Sequence, residues 1–516
     1  MHSSLLRPAA RPWRTIVVAA GATLGGVAFG YDMGAIEGIM QMDSWMKHFL
    51  ETPIGPIGIR GVYFGGAVAG SVFSLAVSLV AGRRATLIVA TVIFASYIPF
   101  QMVATTPLPA LDGRFVAGIG GGMFSAIVPL YLAETSPAAS RSTAIVAFLV
   151  AVSGAEILGN GVSYFCARLP SAASYIIPSS ISIVWASLLM AALLYIIPES
   201  PYLLISKNME DSAASALSCL LGVPRSHPSV TVTIYKIKSF YDSEVEHRGK
   251  TTRKLLFRGE NLKRLLTGMG VHLLKHAMGA GFLFRYGHRM LAQLNVPNAT
   301  ARQAIMGAVQ ISGLVTAILS LKAVSHRSAL LIGAVCMCLL LNVICFISVY
   351  LTAQDSATGA LTTLNEATTA ALATLSCVGI FIHASTWGAR SWAISAEIFP
   401  AIYRPYCMPL TITIHWLAAL ISDIIVSYLI DMGKPNMFSV FSAVWGAMCI
   451  PCFVFVWFCI RNTDNCSLVN VNIIQTQLTL RHRTPSWVLP TTAGRPTVRQ
   501  NSLCIENNDD VPPFSL

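Results

Sequence analysis

The chain has 516 residues, of which 54% are hydrophobic and only 11% are charged. A soluble globular domain carries about a quarter charged residues, so this composition excludes one and predicts a polytopic membrane protein. The formal net charge of +12 does not indicate nucleic-acid binding, because the basic residues cluster in loops between apolar segments, where the positive-inside bias explains them. The twelve cysteines show no paired spacing, so neither a disulfide framework nor a zinc site is predicted.

Twelve apolar segments are long enough to cross a bilayer, six on each side of a polar stretch. The first six lie at about residues 15–40, 60–80, 85–105, 110–133, 143–166 and 176–198, and the second six at about 265–293, 302–323, 328–352, 368–396, 407–430 and 436–460. The first segment is too long for a signal peptide and contains Asp32, so it is predicted to be retained. The predicted fold is an all-α integral membrane protein with twelve transmembrane helices in two six-helix halves.

Five regions follow from this layout. They are an N-terminal tail (1–14), a first half (15–198), a central loop (199–264), a second half (265–461) and a tail predicted to be disordered (462–516). The central loop is rich in Lys and Arg, which places it in the cytoplasm, and the even number of crossings places both termini there too. Asn298-Ala299-Thr300, a glycosylation sequon in a predicted outer loop, agrees with this topology.

One charged motif occurs twice. Glu134 to Arg141 and Glu397 to Arg404 share the skeleton Glu-x-x-Pro-x-x-x-Arg, and each closes a long apolar segment. A second correspondence is looser: Gly82-Arg83-Arg84 follows the second segment, and Ser325-His326-Arg327 occupies the equivalent place in the second half. The chain is therefore predicted to contain an internal duplication of a six-helix unit.

These motifs, in this order among twelve segments, resemble the sugar porter branch of the major facilitator superfamily, most closely its fungal members. The resemblance extends to about residue 470. It is carried by Phe29-Gly30-Tyr31-Asp32, Gly82-Arg83-Arg84, Gly113-Arg114-Phe115, Pro129 to Glu134 with Pro137 and Arg141, Pro198-Glu199-Ser200-Pro201, Trp387-Gly388 with Trp392, and Glu397 to Pro400 with Arg404. It implies the major facilitator fold and alternating access, in which two halves rock about a site near the bilayer midplane.

The resemblance also implies a cytoplasmic gate of charge pairs that holds the inner side shut. Its predicted members are Arg83, Arg84, Glu134, Arg141, Glu199, Glu397 and Arg404. Several modest ion pairs can bias a two-state equilibrium and still break. The alternative is that these charges only anchor helix ends at the lipid headgroups.

Acidic residues inside apolar segments are candidate functional groups, because a buried charge is costly without a partner. Asp32 is predicted to pair with Arg114, and the resemblance implies that protonation of Asp32 couples proton and substrate movement. A static pair that fixes helix packing is the alternative. Glu156 and Asp423 are further embedded acids, for which interhelical pairing is favoured.

The substrate site departs from the sugar porter pattern, which relies on amides. In the seventh segment, Lys275-His276 stands where the family has a glutamine pair, Gly281 where it has an asparagine, and Arg285-Tyr286 where it has a tyrosine pair. In the fifth segment, Phe148 stands where the family has a glutamine. In the eleventh segment, residues His415 to Ala419 occupy the region of another family amide. The predicted substrate-binding residues are Gln310, Trp392, Trp416, Lys275, His276, Tyr286 and Arg285. If Lys275, Arg285 and Arg390 face the cavity, a carboxylate-bearing solute such as quinate fits better than a neutral hexose. The alternatives are that these cations snorkel, that they pair with Asp423 or Glu156, or that the chain has drifted and transports poorly.

The predicted function is secondary active transport of a small polar solute, coupled to protons, across the plasma membrane. A metabolite exporter and a non-transporting nutrient sensor are the alternatives. No enzyme is predicted, since the sequence contains no arrangement of nucleophile and base, no metal-ligand spacing and no phosphate loop. The predicted partners are the solute and the lipid bilayer, without nucleic acid, and no cofactor is predicted apart from the proton as coupling ion. The protein is predicted to be a monomer.

Overall fold

The computed structural model describes residues 12–42, 45, 55–103, 107–169, 172–248, 257, 259–296, 298–358, 366–431 and 437–460. Within these ranges the secondary structure is helical and contains no strand, which confirms the predicted all-α class. The tail at 462–516, predicted to be disordered, lies outside the described residues.

The first half contains all six predicted crossings. They are α1 (Pro12–Ile39), α2 (Gly55–Val80), α3 (Arg83–Val103), α4 (Pro107–Thr135) and α5 (Arg141–Cys166), with α6 (Ala173–Ser180) and α7 (Ser182–Tyr195) forming the sixth. Only Ile181 separates α6 from α7, and the two make one continuous apolar segment. A single turn of 3-10 helix, Ala138–Ser140, joins α4 to α5.

The central region is more structured than a polar loop. It contains α8 (Pro201–Ser206), α9 (Glu210–Leu221) and α10 (Pro228–Arg248). These helices bury a small apolar cluster of their own, which includes Leu204, Ala213 and Ile237. The Thr15 hydroxyl donates to the Leu220 carbonyl oxygen at 2.9 Å, so α9 is tied to the start of α1. The sequence does not predict these helices, because short amphipathic helices give a weak periodic signal.

The second half contains the other six crossings, of which the first is divided. Its helices are α11 (Gly259–Ala277), α12 (Ala280–Gln293), α13 (Ala299–Ser320), α14 (His326–Thr358), α15 (Glu366–His383), α16 (Ala389–Glu397), α17 (Arg404–Asp431) and α18 (Met437–Cys459). Among the described residues, eleven helical segments are long and apolar enough to cross a bilayer, and the predicted 265–293 crossing is the exception. Its chain breaks at Gly279, whose φ of +76° lies in the left-handed region that glycine adopts without strain.

The helix of the tenth crossing also contains one turn of a different helix type. A π-helical turn, Ala384–Gly388, connects α15 to α16. The sequence predicts less bending here because the family's proline is replaced by Ala389, yet the helix still departs from regular geometry. Single π-helical turns inside α-helices occur frequently at functional sites.

The halves are joined along two helix pairs, α2 with α17 and α5 with α13. One apolar core fills the first half and extends to Trp392, Phe399 and Trp416 of the second. A second core lies within the second half, around Trp387 and Trp445. The interface between the halves is therefore continuous with the core of the first half.

α1 and α5 cross so closely that their backbones touch. A Cβ atom added at Gly159 would lie 2.1 Å from the Tyr31 carbonyl oxygen, and one added at Gly34 would lie 1.8 Å from the Glu156 carbonyl oxygen. In a bilayer, where lipid is as apolar as leucine, such close approach supplies much of the helix association.

We expect Gly159→Ala to lower the apparent melting temperature of the purified protein by several degrees, because overpacking costs about 1–3 kcal/mol. Gly161→Ala is the matched control, since a Cβ atom there would have no neighbour within 4 Å. The control should be neutral or slightly stabilising, because alanine has the higher helix propensity. Equal melting temperatures for both variants would contradict this account of the crossing.

Candidate functional site

A cavity of about 380 Å³ lies between the two halves and is called the central cavity here. Its polar and aromatic lining includes Phe29, Ser125, Phe148, Ser153 and Glu156 from the first half and Lys275, His276, Gln310, His383, Trp392, His415 and Trp416 from the second. The lining also includes Ala280 and Gly281, which follow the break after α11, and Ala384 and Gly388 of the π-helical turn. Irregular backbone in a membrane protein is tolerated where it lines a cavity, which fits both positions.

Five of the seven predicted substrate-binding residues line this cavity, namely Gln310, Trp392, Trp416, Lys275 and His276. The other two lie elsewhere. Arg285 lines a second, wider cavity and forms an ion pair with Asp423. Tyr286 is outside the lining of both cavities, with only 2% of its surface exposed and its ring stacked on Phe282 at a centroid distance of 5.5 Å. Tyr286 is therefore a packing residue in this conformation.

Arg390 does not face the cavity either. It is completely buried, and its guanidinium donates to the Val324 carbonyl oxygen at 2.9 Å and to the Ser320 hydroxyl at 3.0 Å. Of the three cations considered for a carboxylate site, Lys275 alone thus reaches the central cavity.

Four histidines lie on or against α11, the helix that carries Lys275. His276 Nε2 and His415 Nδ1 are 3.0 Å apart, and His383 Nε2 lies 3.4 Å from the Lys275 carbonyl oxygen. His272 is buried edge-on between Trp392 and His415, at centroid distances of 5.3 Å from each. His276 and His415 are among the residues expected near the site from the sequence, whereas His272 and His383 are not. The spacing of four residues between His272 and His276 was a usable signal, because it places both on one helix face.

Lys275 and Glu156 both line the central cavity, and neither forms an ion pair with any residue that the structure describes. Lys275 Nζ lies 5.6 Å from the centroid of the Trp392 ring, a cation–π contact. The interhelical pairing favoured for Glu156 is therefore not found. The pairing favoured for Asp423 is found, with Arg285 and, at 3.5 Å, with Arg60.

Several residues of the lining connect the two halves directly. The Gln310 amide donates to the Ser153 hydroxyl at 2.9 Å, and the Trp416 indole N–H donates to the Ser125 hydroxyl at 2.8 Å. Trp392 packs on Phe148 with ring centroids 6.2 Å apart. A ligand that contacts these side chains would act on both halves at once.

Asp32 and Arg114, the predicted proton-coupling residues, form a buried ion pair inside the first half. Arg114 donates to Asp32 Oδ1 at 2.7 Å and to Oδ2 at 3.1 Å. The Tyr97 hydroxyl donates to Asp32 Oδ1 at 2.6 Å, and Gln101 Oε1 accepts from Arg114 at 3.0 Å. The pair is therefore held in a small hydrogen-bonded network, as a buried charge pair requires.

The end of the bundle at which α1 ends and α2 begins is called the outer end here. The wider cavity has a volume of about 810 Å³ and lies between this outer end and the central cavity. The exposed residues Gln41, Arg289 and Ala292 form part of its lining, so it opens to solvent. Glu156 and Met33 line both cavities, so the two cavities adjoin. A solute would therefore reach the central cavity from the outer end.

The opposite, inner end is closed, and it contains all seven predicted gate residues. In the first half, Arg83 binds Glu134 through two hydrogen bonds of 2.9 and 3.0 Å, and both side chains are buried. The Glu199 carboxylate accepts the backbone N–H groups of Arg83 and Arg84 at 2.9 and 3.3 Å. It therefore caps the start of α3, where the helix dipole favours a negative charge. Arg84 donates to the carbonyl oxygen of Leu193 at 2.9 Å.

At the inner end, the second copy of the duplicated motif makes a contact between the halves. The Ser142 hydroxyl on α5 donates to Glu397 Oε1 at 2.5 Å, and His326 Nε2 lies 3.8 Å from Glu397 Oε2. Arg141 and Arg404 instead donate to carbonyl oxygens of their own halves, at 3.0 and 2.8 Å. The role of Ser142 is not predictable from the sequence, because a serine beside a charged motif has no distinguishing signal.

Comparisons with known proteins agree with this architecture. A family model described as "Sugar (and other) transporter" matches residues 18–473. The chain is 28% identical to the major facilitator-type transporter ecdD of Aspergillus rugulosus, over 93% of the chain and 90% of that protein. It is 27% identical to the probable glucose transporter rco-3 of Neurospora crassa, over 92% of the chain and 82% of that protein. The structure of the proton:xylose symporter XylE bound to 6-bromo-6-deoxy-D-glucose has the same fold, with a TM-score of 0.73 at 22% identity, covering 90% of this chain and 99% of that one.

Removing the Ser142–Glu397 hydrogen bond should open the inner end more often. We expect Ser142→Ala to increase the alkylation rate of Cys407 about tenfold or more, because loss of one charge-assisted hydrogen bond costs about 1.5–3 kcal/mol. Cys407 is 1% exposed and belongs to the apolar core that joins the halves, and its modification can be followed by mass spectrometry.

Ser140→Ala is the matched control, because its hydroxyl contacts only the nearby Pro137 carbonyl oxygen. Equal alkylation in both variants would show that the Ser142–Glu397 bond does not hold the inner end closed.

Proposed function

The chain belongs to the sugar transporter family of the major facilitator superfamily, and we propose that it carries a small polar solute by secondary active transport with alternating access. The observation that supports this most directly is a central cavity lined by both halves, which adjoins a wider cavity at the outer end. At the inner end the halves are joined by a hydrogen bond that can break, from Ser142 to Glu397. This is the arrangement expected of one conformation of a transporter whose halves rock about a central site.

We infer that the solute is a sugar or sugar-like compound that bears a carboxylate, with quinate as an example. Trp392 and Trp416 offer aromatic faces for a ring, and the Gln310 amide can both donate to and accept from hydroxyl groups. Lys275 provides the cation for a carboxylate in a cavity of low dielectric. The amides with which sugar porters bind a neutral hexose are replaced at most positions, which favours a charged solute.

Asp32 and Arg114 are proposed to couple transport to the proton. While Asp32 is ionised, its pair with Arg114 fixes α1 against α4. Protonation would remove the attraction and leave α1, which also contributes Phe29 and Met33 to the central cavity, free to move. Proton binding and rearrangement of the cavity would then be linked through one helix.

The protein is proposed to lie in the plasma membrane with both termini in the cytoplasm. The outer end would then face the exterior. This orientation follows from the basic central region, which lies on the side of the inner end.

Asp32→Asn should abolish proton movement while solute exchange continues, because asparagine cannot release a proton yet can still accept hydrogen bonds from Arg114 and Tyr97. The measurement is solute-dependent acidification inside proteoliposomes, with counterflow as the readout of exchange. Asp112→Asn, an exposed acid on the same helix as Arg114, is the control that should retain both. Proton movement that persists in Asp32→Asn would refute this coupling role.

Uptake in a host without its own transporters should be greater for quinate than for glucose or xylose, and a protonophore should reduce it. Lys275→Met should lower quinate uptake about tenfold or more, because it removes the cation that pairs with the carboxylate. Lys275→Arg keeps the charge and serves as control. Preferential glucose uptake that is unaffected by Lys275→Met would contradict the carboxylate proposal.

A further inference from the structure

Two ionisable groups of opposite sign line the central cavity and form no ion pair within the part of the chain that the structure describes. Among its described lining residues, Lys275 on α11 is the one lysine or arginine and Glu156 on α5 is the one carboxylate. Neither forms an ion pair with the other or with any other described residue. The two charges therefore lie on different halves, with the cavity between them.

Two other acidic residues in the bundle do form ion pairs. Asp32 is matched by Arg114, and Asp423 by Arg285 and Arg60. An ionised group within a membrane-spanning bundle is costly unless it is paired or hydrogen-bonded, so an unpaired charge there needs a reason. For a charge that lines a solute cavity, the simplest reason is that its partner arrives with the solute.

We propose that the ligand of the central cavity is a small zwitterion, whose carboxylate binds Lys275 and whose ammonium group binds Glu156. The inference rests on the proposed transport function and adds the ammonium group to the carboxylate already inferred. A purely anionic ligand would leave Glu156 unpaired beside a group of like charge. A purely cationic ligand would do the same to Lys275. A zwitterion pairs both and adds no net charge to the bundle.

The cavity also fixes the orientation of this ligand. Glu156 lines both cavities, whereas Lys275 lines only the central one. The ammonium group therefore lies toward the outer end, and the carboxylate lies deeper, beside His276 and His415, which share the wall with Lys275. Trp392, Trp416 and Phe148 surround the carbon skeleton between the two charged ends.

The test uses ligands that differ only in charge. Binding to the purified protein in lipid nanodiscs is measured by calorimetry at neutral pH for glucose, glucuronate, glucosamine and 2-amino-2-deoxyglucuronate. A second, acyclic set comprises γ-aminobutyrate, butyrate and butylamine, so that a steric clash of one ring cannot decide the result. We expect the zwitterion of at least one set to bind about tenfold or more tightly than its matched anion and its matched cation.

The variants assign each charge to its partner. In Glu156→Gln the zwitterion should bind no better than the anion, and in Lys275→Met it should bind no better than the cation. Glu156→Asp and Lys275→Arg keep the charges and should keep the preference for the zwitterion. Unchanged elution profile and melting temperature establish that each variant is folded.

The proposal fails if the matched anion binds as tightly as the zwitterion in both sets, and quinate uptake would then still support the proposed function. It also fails if the cation or glucose binds most tightly, or if no compound of either set binds. Persistence of the preference for the zwitterion in Glu156→Gln would overturn the assignment of the ammonium site. Failure of the transport function itself is recognised separately, by the absence of uptake of any solute in the transporter-null host.

Discussion

The cost of placing charge inside an apolar bundle is the constraint on which this structure depends. In the first half that cost is offset by the pair of Asp32 and Arg114, which Tyr97 and Gln101 complete with hydrogen bonds. The pair connects α1 to α4 at a depth where water cannot replace a lost partner. Because a buried charge that loses its partner is destabilised by several kcal/mol, changing the protonation of one carboxylate is enough to alter how two helices pack. The same energetic cost is the reason to expect a ligand beside Lys275 and Glu156, which form no ion pair among the described residues.

The duplicated ends of the two halves are built alike and act differently. Arg83 binds Glu134, and His326, at the corresponding position, lies beside Glu397. The two flanking arginines are equivalent as well, since Arg84 donates to the carbonyl oxygen of Leu193 at the end of the sixth crossing and Arg327 to that of Trp457 at the end of the twelfth. Arg83 donates two hydrogen bonds to its carboxylate, whereas His326 Nε2 comes no closer than 3.8 Å to Glu397 Oε2. Glu397 therefore has an oxygen available for Ser142 of the other half. The weaker copy of the motif is thus the one that makes the breakable contact between the halves.

The sequence was sufficient for the extent of the apolar crossings and for the pairing of Asp32 with Arg114, because apolar length sets the crossings and an embedded acid needs a cation nearby. It was insufficient for the direction in which each side chain points. Tyr286 and Arg390 lie on helices that are surrounded by other helices, so polarity does not distinguish a cavity-facing position from a packed one. The divided crossing at Gly279 was missed for a related reason, since a glycine in an apolar stretch is compatible with both a continuous helix and a break.

Side chains that line the central cavity also form hydrogen bonds between the two halves. Trp416 and Gln310 line the central cavity while they donate hydrogen bonds to Ser125 and Ser153 of the opposite half. A solute that competes for either donor weakens a link between the halves at the moment it binds, so its binding energy acts on the equilibrium between conformations as well as on affinity. Changes in the pocket are therefore coupled to the balance of states. A solute that satisfies these donors as it fills the cavity shifts that balance, whereas one that binds without touching them leaves the halves as they were.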